Sequence, residues 1–215
     1  MRIDVFQQVY DLLFNHYGPQ KWWPGDTPFE IMIGAVLIQN THWKNVTKAI
    51  NNLQERNLLS LPSLHDASYE EIADCIRPSG YYNIKAKRLR NLLQMIVEQY
   101  DGDLESLLSD STDDARENLL SVKGIGQETA DAILLYCGNH PVFVVDTYTH
   151  RVFSRHNLVP DECGYEELQE EFTCRLPSDS KLFNEYHALI VNVGKDFCKK
   201  TTPLCEQCPL KGVEG

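Results

Sequence analysis

Apolar residues recur at three- and four-residue intervals through most of the chain, the period of a helix that buries one face. The alternation of apolar and polar residues that marks a half-buried strand is missing. The pattern therefore predicts an all-α protein. Its main helices are predicted at 4–17, 28–40, 43–56, 70–76, 81–100, 113–122, 128–136, 165–176 and 180–193. Segment 28–40 is apolar on nearly every side, which places it at the centre of a core.

Composition narrows the class of protein. The chain has 215 residues, 42% of them hydrophobic, which is enough for one domain or two small ones. No apolar run approaches the ~18 residues that a membrane helix needs. Seven cysteines without a secretory signal favour reduced thiols, and so a cytoplasmic protein without a membrane partner.

Charge argues against a nucleic-acid partner at first sight, because the net charge is −11. The bases are not evenly spread, however, and cluster at 85–90 and 195–200. An acidic protein can still present one basic face to DNA, and we then expect it at the nucleoid.

Two glycines, Gly124 and Gly126, stand one residue apart between two helical patterns. Gly124 permits a sharp turn, and Gly126 permits close approach of the backbone to another molecule. The free N–H groups at the start of the second helix suit a phosphate. With Lys123 in the turn, the segment is a candidate clamp on a DNA backbone; an ordinary αα-hairpin turn is the alternative.

Asp146 follows the apolar run 142–145 and is the candidate catalytic residue. A carboxylate held near a sugar stabilises the positive charge that develops when a base leaves, and it can orient or deprotonate a water molecule. Asp before Thr-Tyr-Thr is equally a good helix N-cap, and one residue can do both.

The segment VKGIGQETADAI resembles the helix-hairpin-helix of the endonuclease III superfamily of DNA glycosylases, and its spacing to VVDTYTHRV resembles that family's Gly/Pro-rich loop and aspartate. GAVLIQNTHWKNV and CIRPSGYYNIKAKRL are most similar to the 3-methyladenine DNA glycosylase branch. The resemblance spans nearly the whole chain. It implies two helical domains, 29–137 and 1–28 plus 138–215, with a central cleft. It also implies a monomer that binds double-stranded DNA containing a damaged base.

The resemblance also implies site residues. DNA contacts are expected at Gln39, Asn40, Tyr82, Lys85, Lys123, Gly124 and Gly126. A base pocket is expected at Trp22, Trp23, Trp43 and Glu128. Strand-cutting relatives carry a lysine at the position of Glu128, and a carboxylate cannot form an imine with the sugar aldehyde. Base removal without strand cleavage follows, although an acid in a first helical turn also suits the helix dipole.

Three cysteines in the spacing Cys198-x6-Cys205-x2-Cys208 form a metal-ligand pattern. The tail is similar to that of endonuclease III, which implies a [4Fe–4S] cluster. The fourth position here is Glu214. The fourth ligand is therefore Glu214, water or a displaced cysteine (Cys137, Cys163 or Cys174). A three-iron cluster, zinc and unliganded thiols remain alternatives.

Other functions stay open at this point. They are a mismatch glycosylase, a bifunctional glycosylase/lyase that uses Lys123 or another amine, and a non-catalytic DNA-binding or redox-sensing module. Asp146 argues against the last. His187, on the final long helix, is expected to be a histidine of the core.

Overall fold

The structure, a computed structural model, describes residues 4–20, 22–23 and 25–215. Within these residues the chain forms helices and no strand, which confirms the all-α prediction. The α-helices are α1 (Val5–Tyr17), α2 (Pro28–Leu37), α3 (Trp43–Glu55), α4 (Leu61–Asp66), α5 (Tyr69–Cys75), α6 (Tyr82–Tyr100), α7 (Leu104–Ser109), α8 (Thr112–Ser121), α9 (Gln127–Tyr136), α10 (Thr147–Arg155), α11 (Tyr165–Arg175) and α12 (Ser180–Asp196).

Most helix starts are set by a polar side chain that accepts from the first turn, which otherwise has no partner for its N–H groups. Thr27 caps α2 and is followed by Pro28 at the first helical position. Ser68 and Glu71 form a reciprocal capping box at α5. Helices α4 and α7 were not predicted, because six residues are too few to display a helical period.

The chain divides into two compact units. The first comprises the residues up to Trp22 together with Pro141–Gly215, and the second comprises Trp23–His140. In the second unit, α2 contacts α3, α6 and α9, and its side chains from Met32 to Leu37 are buried. The expectation that this segment forms the centre of a core is confirmed.

The first unit is built from α1, α10, α11 and α12, with α12 in contact with both α1 and α10. Its core is aromatic. The rings of Phe143 and Phe172 stack with centroids 3.8 Å apart, and Phe6 meets Phe172 edge-on at 5.0 Å. Tyr186 adds a buried ring whose hydroxyl donates to the carbonyl of Phe6 at 2.7 Å. This core fixes the chain on both sides of Asp146.

No helix among the described residues combines the length and the apolar character needed to cross a bilayer.

Candidate active site and nucleic-acid interface

Asp146 lies at the N-cap of α10, in the first unit. Its Oδ1 accepts from the backbone N–H of Thr149 at 2.8 Å and from the Thr149 hydroxyl at 3.0 Å. The N-cap interpretation is therefore confirmed, and the carboxylate is fixed in one orientation. Its side chain is only 13% exposed.

The second carboxylate oxygen of Asp146 faces His187. Nε2 of His187, on α12, lies 3.6 Å from Oδ2, and the histidine is 4% exposed. Burial alone raises the pKa of Asp146, but His187 and the two Thr149 bonds outweigh it, so the net pKa lies below the usual 3.8. The carboxylate is thus ionised at neutral pH although its side chain is nearly buried. His187 is a core histidine as expected, but its contact with Asp146 was not foreseen.

The apolar run before Asp146 is held from α11. Gln169 donates to the carbonyl of Phe143 at 2.7 Å, and the Val145 N–H donates to the Tyr165 hydroxyl at 3.4 Å. Val142, Phe143, Val144 and Val145 are all buried. This segment makes no helix or sheet bonds of its own, so these side-chain bonds set the position of the carboxylate that follows it.

In the second unit, α8 and α9 form a helix–turn–helix around the two glycines. Gly124 has φ +104°, and a Cβ there would lie 2.4 Å from Cγ of Arg88. Gly124 is therefore required both for the turn and for the arginine that packs across it. Gly126 caps α9, and a Cβ there would meet no atom within 4 Å. Lys123 is exposed in the turn, with its carbonyl accepting from Asn91 at 3.0 Å.

Gln39 is bonded to this hairpin. Its Nε2 donates to the hydroxyl of Thr129 at 2.8 Å and to the carbonyl of Gly124 at 3.4 Å, and its Oε1 accepts from Arg88. Asn40 follows in the left-handed conformation, φ +54°, and is exposed. The structure thus brings together three predicted DNA-contact residues, Gln39, Asn40 and Gly124, beside the hairpin turn.

Lys85 does not fit the DNA contact predicted for it. The side chain is buried, and its ammonium donates to the carbonyls of Leu37 at 2.8 Å and Ser79 at 2.7 Å. Burial, followed by the charge of Arg88, lowers its pKa from 10.5 to about 8. Lys85 caps the carboxyl end of α2 and a 3₁₀ turn at Arg77–Ser79, so its hydrogen bonds are not available to a phosphate.

The exposed aromatic at the start of α6 is Tyr81, not the predicted Tyr82. Tyr82 is half-buried, with the guanidinium of Arg77 5.5 Å from its ring centroid. Tyr81 is 68% exposed and has φ +46°, a rare backbone conformation for a bulky residue. Ile84, one turn on, is 50% exposed. The sequence pattern identified aromatics beside bases at this helix start, but it could not say which ring is exposed.

An aromatic cluster in the second unit contains Trp23, Trp43 and Tyr136. Trp23 stacks on Tyr136 with centroids 4.4 Å apart, and it meets Trp43 edge-on at 4.7 Å. A Cβ added to Gly34 would contact both indoles at 3.6–3.7 Å, so α2 packs closely against them. Tyr136 was missed because it lies in the apolar pattern of α9, where an aromatic residue reads as core.

The neighbouring Trp22 belongs to the first unit, where the ammonium of Lys195 lies 5.6 Å from its ring centroid. Glu128 is exposed in the first turn of α9, in the second unit. Of the four residues expected in a base pocket, Trp22 belongs to the first unit, and Trp23, Trp43 and Glu128 belong to the second. Lys21 and Pro24, which flank the tryptophan pair, lie outside the described residues.

Cys198 is buried just beyond α12, Cys205 is exposed and Cys208 is half-buried. Burial raises the pKa of the Cys208 thiol, a hydrogen bond from the Leu210 backbone lowers it, and the nearby Cys198 and Cys205 raise it. Arg155 donates to Sγ of Cys198 at 3.4 Å. Three soft thiolates beside a cation suit an anionic iron–sulfur cluster. In the described part of the chain, however, no three Cys, His, Asp or Glu side chains converge as metal ligands.

The expected fourth ligands find little support. Glu214 is exposed. Cys163 and Cys174 line a surface pocket of about 500 Å³ that includes none of the three tail cysteines. Cys137 is buried in the second unit.

Comparison with known proteins identifies the family of the chain. The family model described as "HhH-GPD superfamily base excision DNA repair protein" matches residues 33–178. A Methanocaldococcus jannaschii protein named "Putative DNA repair glycosylase MJ1434" is 44% identical over 98% of this chain and 96% of its own length. Endonuclease III of Thermotoga maritima is 34% identical over 86% of this chain and 81% of its own length.

Among solved structures, the H. pylori 3-methyladenine DNA glycosylase (MagIII) bound to 1,N6-ethenoadenine is 32% identical. The match has a TM-score of 0.75 and covers 89% of this chain and 97% of that one. An endonuclease III–DNA complex superposes with a TM-score of 0.82 over 97% of this chain and 94% of that one. At 24% identity, this second likeness bears on the fold alone.

Proposed function

Because the chain belongs to the HhH-GPD superfamily of base excision DNA repair proteins, we propose that it is a monofunctional DNA glycosylase that removes an alkylated purine, such as 3-methyladenine, from duplex DNA. The observation that carries the proposal is the Asp146 carboxylate. It is nearly buried, it accepts two hydrogen bonds at Oδ1 with Nε2 of His187 3.6 Å from Oδ2, and it is ionised at neutral pH. Such a group is suited to stabilising a cationic sugar.

The reaction follows from that carboxylate. As the bond between the base nitrogen and C1′ breaks, its electron pair leaves with the base, and positive charge develops on the deoxyribose. Asp146 stabilises this charge, and water adds to C1′ while losing a proton to solvent or to the carboxylate. The products are a free base and an abasic site, with the strand intact.

The aromatic residues support an electron-poor base as the substrate. A cationic alkylated purine is attracted to the faces of indole rings, and the protein offers Trp22, Trp23 and Trp43. The alkyl group also weakens the glycosidic bond, so one carboxylate without a dedicated general acid is sufficient. The H. pylori relative is named a 3-methyladenine glycosylase and was solved with an adenine derivative.

DNA contacts are proposed for the hairpin and the residues beside it. The N–H groups at the start of α9 and the exposed Lys123 suit a phosphate. Gln39 is proposed to enter the space that the extruded nucleotide leaves, and the exposed Tyr81 to insert as an apolar wedge beside it. The bonds of Gln39 to the hairpin would then be exchanged when DNA binds.

The cysteine tail is proposed to hold an iron–sulfur cluster through Cys198, Cys205 and Cys208. When bound, such a cluster supplies a rigid anionic centre, and no step of base removal is assigned to it. Arg151 and Arg155 of α10 bond the tail at its carbonyls, as in the 2.8 Å bond from Arg151 to the carbonyl of Cys198.

The test is base release from duplexes that carry methylated purines, mismatched uracil or thymine, oxidised pyrimidines, or adenine opposite oxidised guanine. Release of methyladenine, with strand breaks only after alkali, is the expected result. The matched control is Asp146→Asn, which retains a capping side chain and should reduce release by about 10³-fold or more. Undiminished release by this variant would refute the mechanism.

A glycosylase/lyase is the second candidate, because Endonuclease III of T. maritima is 34% identical and Lys123 presents an exposed amine. Borohydride added during the reaction would trap its covalent DNA adduct. An adduct lost in Lys123→Ala would favour this candidate over ours. No release from any duplex would favour a DNA-binding module.

A further inference from the structure

The contact between His187 and Asp146 has a consequence for the proposed reaction. A lone carboxylate in a nearly buried site is costly unless it is paired and hydrogen-bonded. Oδ1 of Asp146 has the two bonds from Thr149. Oδ2 has the imidazole of His187, with Nε2 3.6 Å away. The pair is thus the means by which the second oxygen is kept anionic.

The position of His187 is itself fixed. It lies on α12, which packs against α10, and its ring is 4% exposed. One and two turns further along α12 are Val191, which is buried, and Gly194. A Cβ at Gly194 would lie 2.4 Å from Cδ1 of Tyr148. Helix α12 can therefore approach the start of α10 closely, which brings the histidine to the carboxylate.

We propose that His187 is the positioning residue for Asp146: its Nε2 group directs Oδ2 and keeps the carboxylate anionic while Thr149 holds Oδ1. The groups that face Asp146 are Thr149 of its own helix and His187 of α12, and from α11 Tyr165 binds the adjacent Val145 N–H. His187 is the titratable side chain among those that act directly on the carboxylate. This inference rests on the proposed function for its catalytic part only.

The first measurement does not need activity. Protein labelled with 13C at the aspartate carboxyl carbon is titrated by NMR, and the Asp146 signal is assigned by its loss in Asp146→Asn. In His187→Leu the pKa of Asp146 should rise by about one unit or more, because the favourable partner is lost while burial remains. In His187→Gln, which retains an N–H donor near the position of Nε2, the rise should be smaller.

His140 provides a matched control. It is a buried histidine of the second unit whose ring nitrogens contact the Thr112 hydroxyl and the carbonyl of Leu108, each at 3.0 Å. His140→Gln should leave the Asp146 pKa unchanged. If His187→Leu fails to fold, the Asp146 pKa measured in His187→Gln tests the proposal by itself. An Asp146 pKa equal to that of the wild type in the His187 variant that folds overturns the proposal.

The second measurement is single-turnover base release with saturating enzyme. His187→Leu should slow release by about tenfold to a hundredfold with DNA affinity retained, and His187→Gln should recover part of the loss. A purely structural role predicts equal losses in both variants and in His140→Gln, which would overturn the proposal. If the wild type releases no base, the proposed function fails, but the titration still tests the pair.

Discussion

Lys85 is a charged side chain that donates to two carbonyl oxygens inside the core. Replacing it with Met leaves those two carbonyls without partners. Lys85→Met should therefore lower the free energy of unfolding by about 2–4 kcal/mol. Urea denaturation measures this, and Lys87→Met, at an exposed position of the same helix, is the control and should change stability by less than about 0.5 kcal/mol.

Because the pKa of Lys85 is lowered, the difference in unfolding free energy between wild type and Lys85→Met should depend on pH. Its folded pKa of about 8 lies below the usual 10.5, so between these values the unfolded chain binds the proton more tightly. The cost of burying the charge is present in full below pH 8 and is relieved as pH rises towards 10.5. The stability difference between wild type and Lys85→Met should therefore grow from about pH 7 to about pH 9.5. A constant difference would contradict the assignment.

Lys123 is the exposed counterpart for DNA binding. If it contacts a phosphate, Lys123→Ala should weaken binding to all sequences and reduce the slope of log affinity against log salt by about one. Lys85→Met should leave that slope unchanged, because its ammonium is committed to the core. Fluorescence anisotropy of a labelled duplex at several salt concentrations separates the two lysines.

The stability that Asp146 contributes should change with pH in the acidic range instead. Its folded pKa lies below 3.8, so the stability it contributes as an anion is present above 3.8 and is lost as pH falls through the folded value. The difference in unfolding free energy between wild type and Asp146→Asn should stay constant from neutral pH to about pH 5 and decline only below about pH 4. A difference that grows as pH falls from neutrality would instead mean that the folded pKa is raised and that the carboxyl is protonated in the folded protein.

At the scale of the element, the hairpin contains two glycines with different requirements. Gly124 has positive φ and no room beside Arg88, whereas Gly126 has φ −102° and open space around its Cα. Gly124→Ala should cost about 1–3 kcal/mol of stability, while Gly126→Ala should leave the melting temperature nearly unchanged. If the backbone at Gly126 meets a phosphate, Gly126→Ala should still weaken DNA binding. Calorimetry and anisotropy on the same two variants test both statements.

The helices also show what periodicity can predict. Helix α2 was predicted because nearly all of its ten residues are apolar, and such a helix needs a core around it. Helices α4 and α7 were not, because each has one and a half turns and takes its shape from the caps at Ser60 and Asp103. The glycine turn and the aspartate at the start of α10 were singled out by their resemblance to family motifs, because an ordinary hairpin turn and a plain N-cap would show the same residue types.

Other features depend on tertiary contacts that a sequence does not contain. Lys85 belongs to a basic segment, and only the fold shows that its ammonium turns inward to two carbonyls. The same holds for Tyr136, which stacks on a residue more than a hundred positions earlier, and for His187, which meets Asp146 across two helices. Family resemblance located the aspartate but not the histidine beside it.

For the whole molecule, the net charge of −11 sets the main objection to a DNA partner, and family membership answers it. An acidic chain of this kind needs a local basic face to bind such a partner. The resemblance to the endonuclease III superfamily and its 3-methyladenine branch, which rested on short motifs, is confirmed by matches that cover most of the chain.

The proposed iron–sulfur cluster of the cysteine tail can be tested by metal analysis and absorption of the whole protein. Protein purified without oxygen should contain iron and sulfide and absorb near 400 nm if Cys198, Cys205 and Cys208 hold a cluster. Cys205→Ser should lose this absorption, and Cys174→Ser, an exposed cysteine of the surface pocket, should not. Zinc in place of iron would give a colourless protein with bound metal, and absence of both metals would refute the proposal.

The hydrogen bonds from α10 to the tail determine which substitutions the tail can tolerate. Arg151 and Arg155 reach the main-chain carbonyls of Gly194, Cys198, Lys199 and Lys200. Because a carbonyl is present whatever the side chain, substitutions in the tail leave these four bonds intact, whereas the bond from Arg155 to Sγ of Cys198 depends on a side chain. Tail residues other than Cys198 can then be exchanged without loss of the bonds that join the tail to the helix of the carboxylate. The two arginines are the positions at which such tolerance should end.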